Sequence, residues 1–493
     1  MRTAPLAMSR DDFRTIGHEL VDRIAEHLET LPERPVTRDE SPSEVRRALG
    51  GDQPLPDAGI DARLALTEAT KLLFDHSLFN GHPRFFGYIT SSPAPLGMLG
   101  DFLAAAVNQN VGAWKLSPVA TEIEKQTVRW IAELIGFPAD CGGLLVSGGN
   151  MANFVCFLAA RTAKAGRDVR SAGLQRCTRA RRVRLYGNSH LDPEGHRSFR
   201  AWNGRDPLDT GRRSPADDPV GASPADRRGP ATRRPPVPGC RHRPSVSTGA
   251  VDPLPQLADI CREFDLWFHV DGAYGALAAR VPGAPDDLQG LSEADSVAVD
   301  PHKWLYAPLE AGCVLVRRAG DLRNGFSYRP AYYHFDDEVL NYFDYGPQNS
   351  RGFRALKVWL GLRQAGRSGH LQMIADDMML ARHLHKLMTN HADFQALSQN
   401  LSISTFRYVP GDLRSQLGSA DIETYLNQLN QELLTRVEKS GEAFLSNALI
   451  GNVFALRACI VNFHTSVDDV ESLPGLLSRL GKEADQTLRT VRT

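Results

Sequence analysis

Apolar residues recur at helical spacing between residues 10 and 33, at Phe13, Ile16, Leu20, Val21, Ile24 and Leu28, and that period predicts an amphipathic helix. A Pro-broken stretch and a second helix near 61–75 come next. Together they form an N-terminal arm, residues 1–80, with little core of its own. Such an arm is expected to bury its apolar face on a second copy of the chain, with docking on its own body as the alternative. From 81 to 365 the pattern changes to short apolar runs set between helices. Pro118 to Gly136 reads as a helix, Leu144-Leu145-Val146 as a strand, Ser147-Gly148-Gly149-Asn150 as a turn, and Met151 to Ala163 as another helix. The apolar runs from Phe264 to Val270 and from Ser296 to Val299 are continuous rather than alternating, as strands buried on both faces are. A helix is expected at 354–372, through Leu356, Val358, Trp359 and Leu362. Helix–strand alternation over 366–493, including a strand from Ala458 to Phe463, predicts a smaller C-terminal domain. The fold class expected is α/β, with a mostly parallel sheet.

Two residues at the ends of those runs carry candidate chemistry. Asp271 closes the first, in His269-Val270-Asp271-Gly272-Ala273-Tyr274-Gly275. Lys303 comes after the second, in Asp300-Pro301-His302-Lys303-Trp304, thirty-two residues later. In an open α/β sheet, ligand-facing groups sit at the carboxyl ends of strands. A strand-end lysine paired with a strand-end carboxylate is what pyridoxal phosphate (PLP) requires. The amine forms a Schiff base with the cofactor aldehyde, and the acid keeps the pyridine nitrogen protonated so that the ring can take up a carbanion's electrons. The plainer alternative makes Asp271 a loop cap and Lys303 a surface lysine, but packing explains neither position. The turn Ser147 to Asn150 lies between a strand and a helix start, where free N–H groups and the positive helix end attract an anion. It is the expected phosphate site, with the Gly149 N–H and the Asn150 side chain as donors.

Composition narrows the class. Of 493 residues, 42% are hydrophobic and 23% charged, with net charge −1, which offers no electrostatic case for nucleic acid or an anionic membrane surface. No run of about 20 apolar residues suggests a membrane span, and the start of the chain lacks a basic-then-apolar secretory pattern. The seven cysteines, at positions 141, 156, 177, 240, 261, 313 and 459, are odd in number and fit no metal-ligand spacing. A reduced, cytoplasmic protein without a metal is expected.

The stretches His82-Pro83-Arg84-Phe85-Phe86, Ser147 to Asn150, His269 to Gly275, Asp300 to Trp304 and Phe353-Arg354-Ala355-Leu356-Lys357 resemble the PLP-dependent group II amino acid decarboxylases, the family of aromatic-L-amino-acid decarboxylase. The resemblance spans about 10–165 and 246–465. It implies a fold of the aspartate aminotransferase type (fold type I) with a seven-stranded sheet in a large domain over 81–365, and a homodimer. It also implies that Lys303 is the Schiff-base lysine, that Asp271 pairs with the pyridine nitrogen and that Ala273 packs on one ring face. Gly148, Gly149, Asn150 and His302 would hold the phosphate. Tyr332, in Arg329-Pro330-Ala331-Tyr332-Tyr333, matches the loop tyrosine that returns a proton to the carbon after CO₂ leaves. Its presence favours decarboxylation over aldehyde formation, where the family carries Phe. Phe85, Phe86, Tyr88 and Thr90 would line the substrate pocket, ordinary core packing being the alternative. The substrate implied is an L-amino acid, aromatic by family default. Transamination and aldehyde formation remain the rival reactions.

One stretch breaks the pattern. Residues 176–243 hold sixteen Arg, nine Pro and no Lys or Ile, with only seven Val, Leu and Phe, a composition that cannot bury strands or helices. Read one base late with permissible codons, Pro235 to Arg243 becomes L-P-F-L-V-V-G-T-A. His190 to Thr210, treated alike, becomes T-W-I-Q-K-A-T-D-L-S-G-L-G-T-D-A-I-R-W-I-P, and the two shifted peptides together supply an amphipathic helix, a turn and two apolar strands. The expectation is a compensated frameshift that begins between about 176 and 190 and ends near 244, with a genuine basic insert binding an acidic partner as the alternative. The histidine that stacks on the second ring face in the family has no assigned counterpart. As written, the chain is expected to bind PLP poorly and to fold badly, and a catalytically impaired protein is the non-enzyme alternative.

Overall fold

The computed structural model describes residues 4–166, 169–172, 183–187, 245–328 and 339–492. The expected reading of Tyr332 lies outside the described residues, as does the stretch 176–243 apart from Val183–Gly187, which form a strand. The arm is built from α1 (Arg10–Thr30), α2 (Pro42–Leu49) and α3 (Ala62–His76). Ser9, Ser41 and Asp61 cap them by accepting backbone N–H bonds, which satisfies donors that the first turn leaves free. Only Thr70 of these three helices is buried.

The central sheet contains β1 (Gly142–Val146), β2 (Val183–Gly187), β3 (Trp267–Asp271), β4 (Ser296–Val299) and β5 (Gly312–Val316), in the order β1-β5-β4-β3-β2. Strands β2, β3 and β4 pair in parallel, and β5 runs against its neighbours β4 and β1. The sheet is therefore mostly parallel, and its side chains alternate between two cores. Leu145, Phe268, Val270, Val297, Val299, Cys313 and Leu315 pack on the face covered by α5 (Pro118–Ile135) and the helix Leu254–Glu263. Leu144, Val146, Trp267, Ala298, Val314 and Val316 pack on the opposite face against α6 (Gly149–Ala165). Burial on both faces explains the unbroken apolar runs in the sequence.

Two boundaries differ from expectation. The strand reaching Asp271 starts at Trp267 rather than Phe264. Phe264 closes the preceding helix, Asp265 takes a left-handed conformation (φ 50°), and the Leu266 N–H turns back to the Cys261 carbonyl. The last strand is Val453–Cys459 rather than 458–463. Beyond it, the Ile460 N–H bonds across to Ser402 O in the turn before β7.

The C-terminal sheet is antiparallel, in the order β6 (Phe394–Asn400), β7 (Ile403–Tyr408), β9 (Val453–Cys459), β8 (Ser446–Ile450). Helices Ala420–Ser440 and Val467–Arg492 close its core. The helix Ala355–Asn390 is shared between the two sheets and is broken at Gly366 (φ 65°).

Candidate active site

Strands β3 and β4 lie side by side and parallel, with Asp271 opposite Ala298. The segments leaving both strands therefore emerge at the same edge of the sheet. After β4 the chain turns: the Asp300 N–H bonds to Ala273 O at 3.2 Å and the Lys303 N–H to Asp300 O at 2.9 Å. Strand β1 ends at that edge too and leads into α6 through Gly148. A Cβ added at Gly149 would stand 2.9 Å from Asp300 Oδ2 and 3.1 Å from Ala273 Cβ, and one at Gly148 would stand 3.4 Å from His302 Cε1. Gly148, Gly149, Ala273, Asp300, His302 and Lys303 thus surround one small space. At Gly149 a side chain would crowd that space, whereas at Gly148 a Cβ would make only ordinary contact.

The charges are arranged along this space. Enclosure pushes the Asp271 carboxyl up to about 6, opposed by the Ala273 N–H, the Asn153 amide and the charge of Lys303. The two hydrogen bonds measure 3.2 Å and 2.8 Å. Lys303 Nζ lies 3.0 Å from Asp300 Oδ2. Asp300 Oδ1 is buried with no hydrogen-bond partner among the described residues. Burial lowers the proton affinity of the His302 imidazole, whose Nδ1 is 2.7 Å from the Ala311 carbonyl.

Residues 52–190 and 244–409 match the model of the pyridoxal-dependent decarboxylase conserved domain. The chain belongs to this family. Its match is interrupted across the stretch that composition sets apart. An aromatic-L-amino-acid decarboxylase from Bacillus atrophaeus is 30% identical over 97% of both chains. A phenylacetaldehyde synthase from Petunia hybrida is 27% identical over 91% of this chain and 90% of its own. Among solved structures, Oryza sativa TDC with PLP and tryptamine superposes with a TM-score of 0.79 at 23% identity, covering 98% of this chain and 99% of that one. Mouse CSAD in apo form superposes with a TM-score of 0.78 at 23% identity, covering 95% and 99%. The fold is that of the fold type I PLP enzymes, and the protein is a PLP-dependent carboxy-lyase.

The decarboxylase's own residues fit the cofactor. Helix α6 starts at Gly149 with no side-chain cap, so its first N–H groups remain available to a phosphate. Beside that cradle Ala273 presents only a methyl group, Lys303 supplies the amine, and Asp271 supplies an acid that is already hydrogen bonded in place.

The other expected site residues occupy varied surroundings. Asn150 is exposed on the first turn of α6. Phe85 is buried and stacks on Phe444 with ring centroids 5.2 Å apart. Phe86 has no exposed surface and packs within the C-terminal core, so for Phe86 the core-packing alternative describes what is seen. Tyr88 is exposed, its carbonyl held by Arg457, and Thr90 is half-buried.

Sequence reading missed Asn153 and gave His269 no role. Both had a signal. Asn153 lies one helical turn beyond Gly149 and so shares its face. His269 precedes Asp271 by two residues, the repeat that keeps side chains on one face of a strand.

Proposed function

We propose that this decarboxylase converts an aromatic L-amino acid to its amine and CO₂. The observation that carries the reading is the meeting of Lys303, Asp271 and the uncapped start of α6 at one sheet edge. The relatives named for aromatic amino acids support the substrate class. When bound, PLP supplies a conjugated ring that accepts the electron pair left on Cα as CO₂ departs.

The protein's groups prepare that event. The Lys303 ammonium must lose a proton before its amine can attack a carbonyl, and Asp300 Oδ2, at 3.0 Å, is placed to receive it. Asp271 would hold a negative charge beside the ring nitrogen of bound PLP and so favour a proton on it. The Gly148 and Gly149 backbone, Asn150 and His302 would bind the phosphate, and Ala273 would support one ring face. Tyr332 is the proton donor to Cα in this reading. Phe85, Phe86, Tyr88 and Thr90 remain its pocket candidates, with Phe85 and Phe86 acting through the shape of the wall they pack.

The same reading includes a homodimer. Leu99, Phe102, Leu103 and Val107 of α4 (Pro95–Val107) are exposed, as are Phe13, Val21, Leu64 and Leu73 of the arm. An apolar surface of that extent is what a subunit interface covers. Residues 1–80, 81–365 and 366–493 would be its arm, cofactor domain and small domain. Cytoplasmic residence fits the five described cysteines, all free. Among the described residues no helix is long and apolar enough to cross a membrane.

The break in the family match across 191–243 supports a compensated frameshift there, and with it reduced activity of the chain as written. Aldehyde formation is the rival chemistry, since relatives include phenylacetaldehyde synthases. Incubation with a panel of aromatic, imidazole, acidic and aliphatic L-amino acids, scored for CO₂, amine, aldehyde and keto acid, tests the proposal. Amine and CO₂ in equal amounts from aromatic substrates, abolished by Lys303→Ala, are expected. Aldehyde as the main product, or turnover of glutamate alone, would overturn it. A cofactor-bound chain without turnover would identify the impaired form.

A further inference from the structure

Behind Asp271 runs an unbroken line of hydrogen bonds. Trp267 Nε1 donates to Ser296 Oγ at 2.9 Å. Ser296 Oγ lies 2.8 Å from His269 Nδ1, His269 Nε2 lies 2.9 Å from Asn153 Oδ1, and Asn153 Nδ2 donates to Asp271 Oδ2 at 2.8 Å. The Asp271 end fixes the direction of the line. Indole N–H can only donate, so Ser296 Oγ accepts from it and still has a proton and a second lone pair to offer His269 Nδ1. At the other end an ionised Asp271 can only accept, so Asn153 must aim its amide N–H₂ there and its carbonyl at His269. That carbonyl demands a proton on His269 Nε2. Burial holds the imidazole's proton affinity down to about 4, so the ring is neutral with its one proton on Nε2, and Nδ1 is left to accept from the Ser296 hydroxyl.

We infer that Asn153, His269 and Ser296 are positioning residues that keep Asp271 ionised and so keep the proton of the Asp271–cofactor pair on the ring nitrogen. This inference rests on the cofactor assignment above. Asp271 needs such help, because enclosure alone favours its neutral form. The other groups acting on it are the Ala273 N–H on Oδ1, the charges of Lys303 and Asp300, and the Cys156 thiol on α6. Asn153 is the one side-chain donor hydrogen bonded to Asp271 among the described residues. Without it, the Asp271 carboxylate becomes the stronger base of the pair. The proton then moves from the ring nitrogen to Asp271, and the ring becomes a poorer electron acceptor while retaining its place.

The full-length chain loaded with [¹⁵N]PLP tests this, using Asn153→Leu, which keeps the volume but removes the amide, and Ser296→Ala, which frees the His269 tautomer from the far end. The wild-type ring ¹⁵N signal should lie at the protonated-pyridine position. Asn153→Leu should move it toward that of neutral pyridine and lower kcat about tenfold or more, the worth of a hydrogen bond to a charged group, with KM within about threefold. Ser296→Ala should shift the signal in the same direction by less, and it decides the matter if Asn153→Leu does not fold. An unchanged ring signal in a folded, loaded variant would overturn the inference, whatever happens to kcat. A wild-type chain that takes up no [¹⁵N]PLP would instead overturn the cofactor assignment, and the inference with it.

Discussion

Trp304 Nε1 donates a 2.8 Å hydrogen bond to Asp377 Oδ2, tying the residue after Lys303 to the helix Ala355–Asn390. Tyr306 Oη donates to the same oxygen at 2.8 Å. Asp377 is buried, and burial pushes its carboxyl up to about 7 despite these donors. A carboxyl whose folded value lies above its unfolded value binds its proton more tightly in the folded state. Its contribution to stability is thus intact below about pH 4, declines as pH rises, and is fully lost above about 7. Asp377→Asn removes this loss while retaining an acceptor for both donors. The melting temperature of Asp377→Asn relative to wild type should therefore rise between pH 5 and 8, which calorimetry across that range measures.

Arg351 and Glu124 form a pair with almost no exposure (1% and 0%). The guanidinium also donates to the carbonyls of Val111 and Leu145, and Glu124 accepts the Leu145 N–H. Leu145 belongs to β1, so the pair braces the strand that leads into the Gly148–Gly149 turn. Arg351→Met leaves a buried carboxylate uncompensated and should cost about 3–5 kcal/mol in denaturant unfolding. Adding Glu124→Leu should recover most of that loss.

Gly149→Val places its Cβ against Asp300 and Ala273, in the proposed phosphate cradle. The dissociation constant for PLP should rise at least about tenfold, a loss of roughly 1.4 kcal/mol in binding, read by absorbance titration. Gly361→Ala is the matched control. It sits in a helix with no atom within 4 Å of the new Cβ, so it should leave binding unchanged and stabilise the fold by up to about 1 kcal/mol.

Asp271→Asn keeps the shape of the site but removes the charge proposed to hold the ring nitrogen's proton. The cofactor should still bind, while kcat falls by about two to three orders of magnitude, the range seen when a preorganised electrostatic partner is lost. Single-turnover measurements separate this from any change in substrate binding.

Much of this site was legible because its signals are local. Asp271, Lys303 and Gly148–Gly149 each stand where a strand ends, and apolar runs mark strand ends well. The edge at which they meet is set by parallel pairing, which the continuous runs of β3 and β4 already imply. Asn153 was harder to read, because its spacing from Gly149 marks its helix face but its partner lies 118 residues away on β3. Phe86 was ambiguous for the opposite reason. An aromatic in a loop can face a ligand or a core, and the Phe86–Phe444 and Cys459–Phe86 backbone bonds that hold this segment against the C-terminal sheet come from far along the chain.

The two sheets do not have separate interiors. Leu401, Ile403, Cys459 and Val461 from the second half of the chain complete the core beneath the first sheet, while Phe86 completes the other. A ribosome that has released only the first 400 residues has therefore made every candidate site side chain discussed above, yet not Leu401, Ile403, Cys459 and Val461, the last buried side chains of the core beneath that sheet. Synthesis must run to about residue 461 before that interior can close.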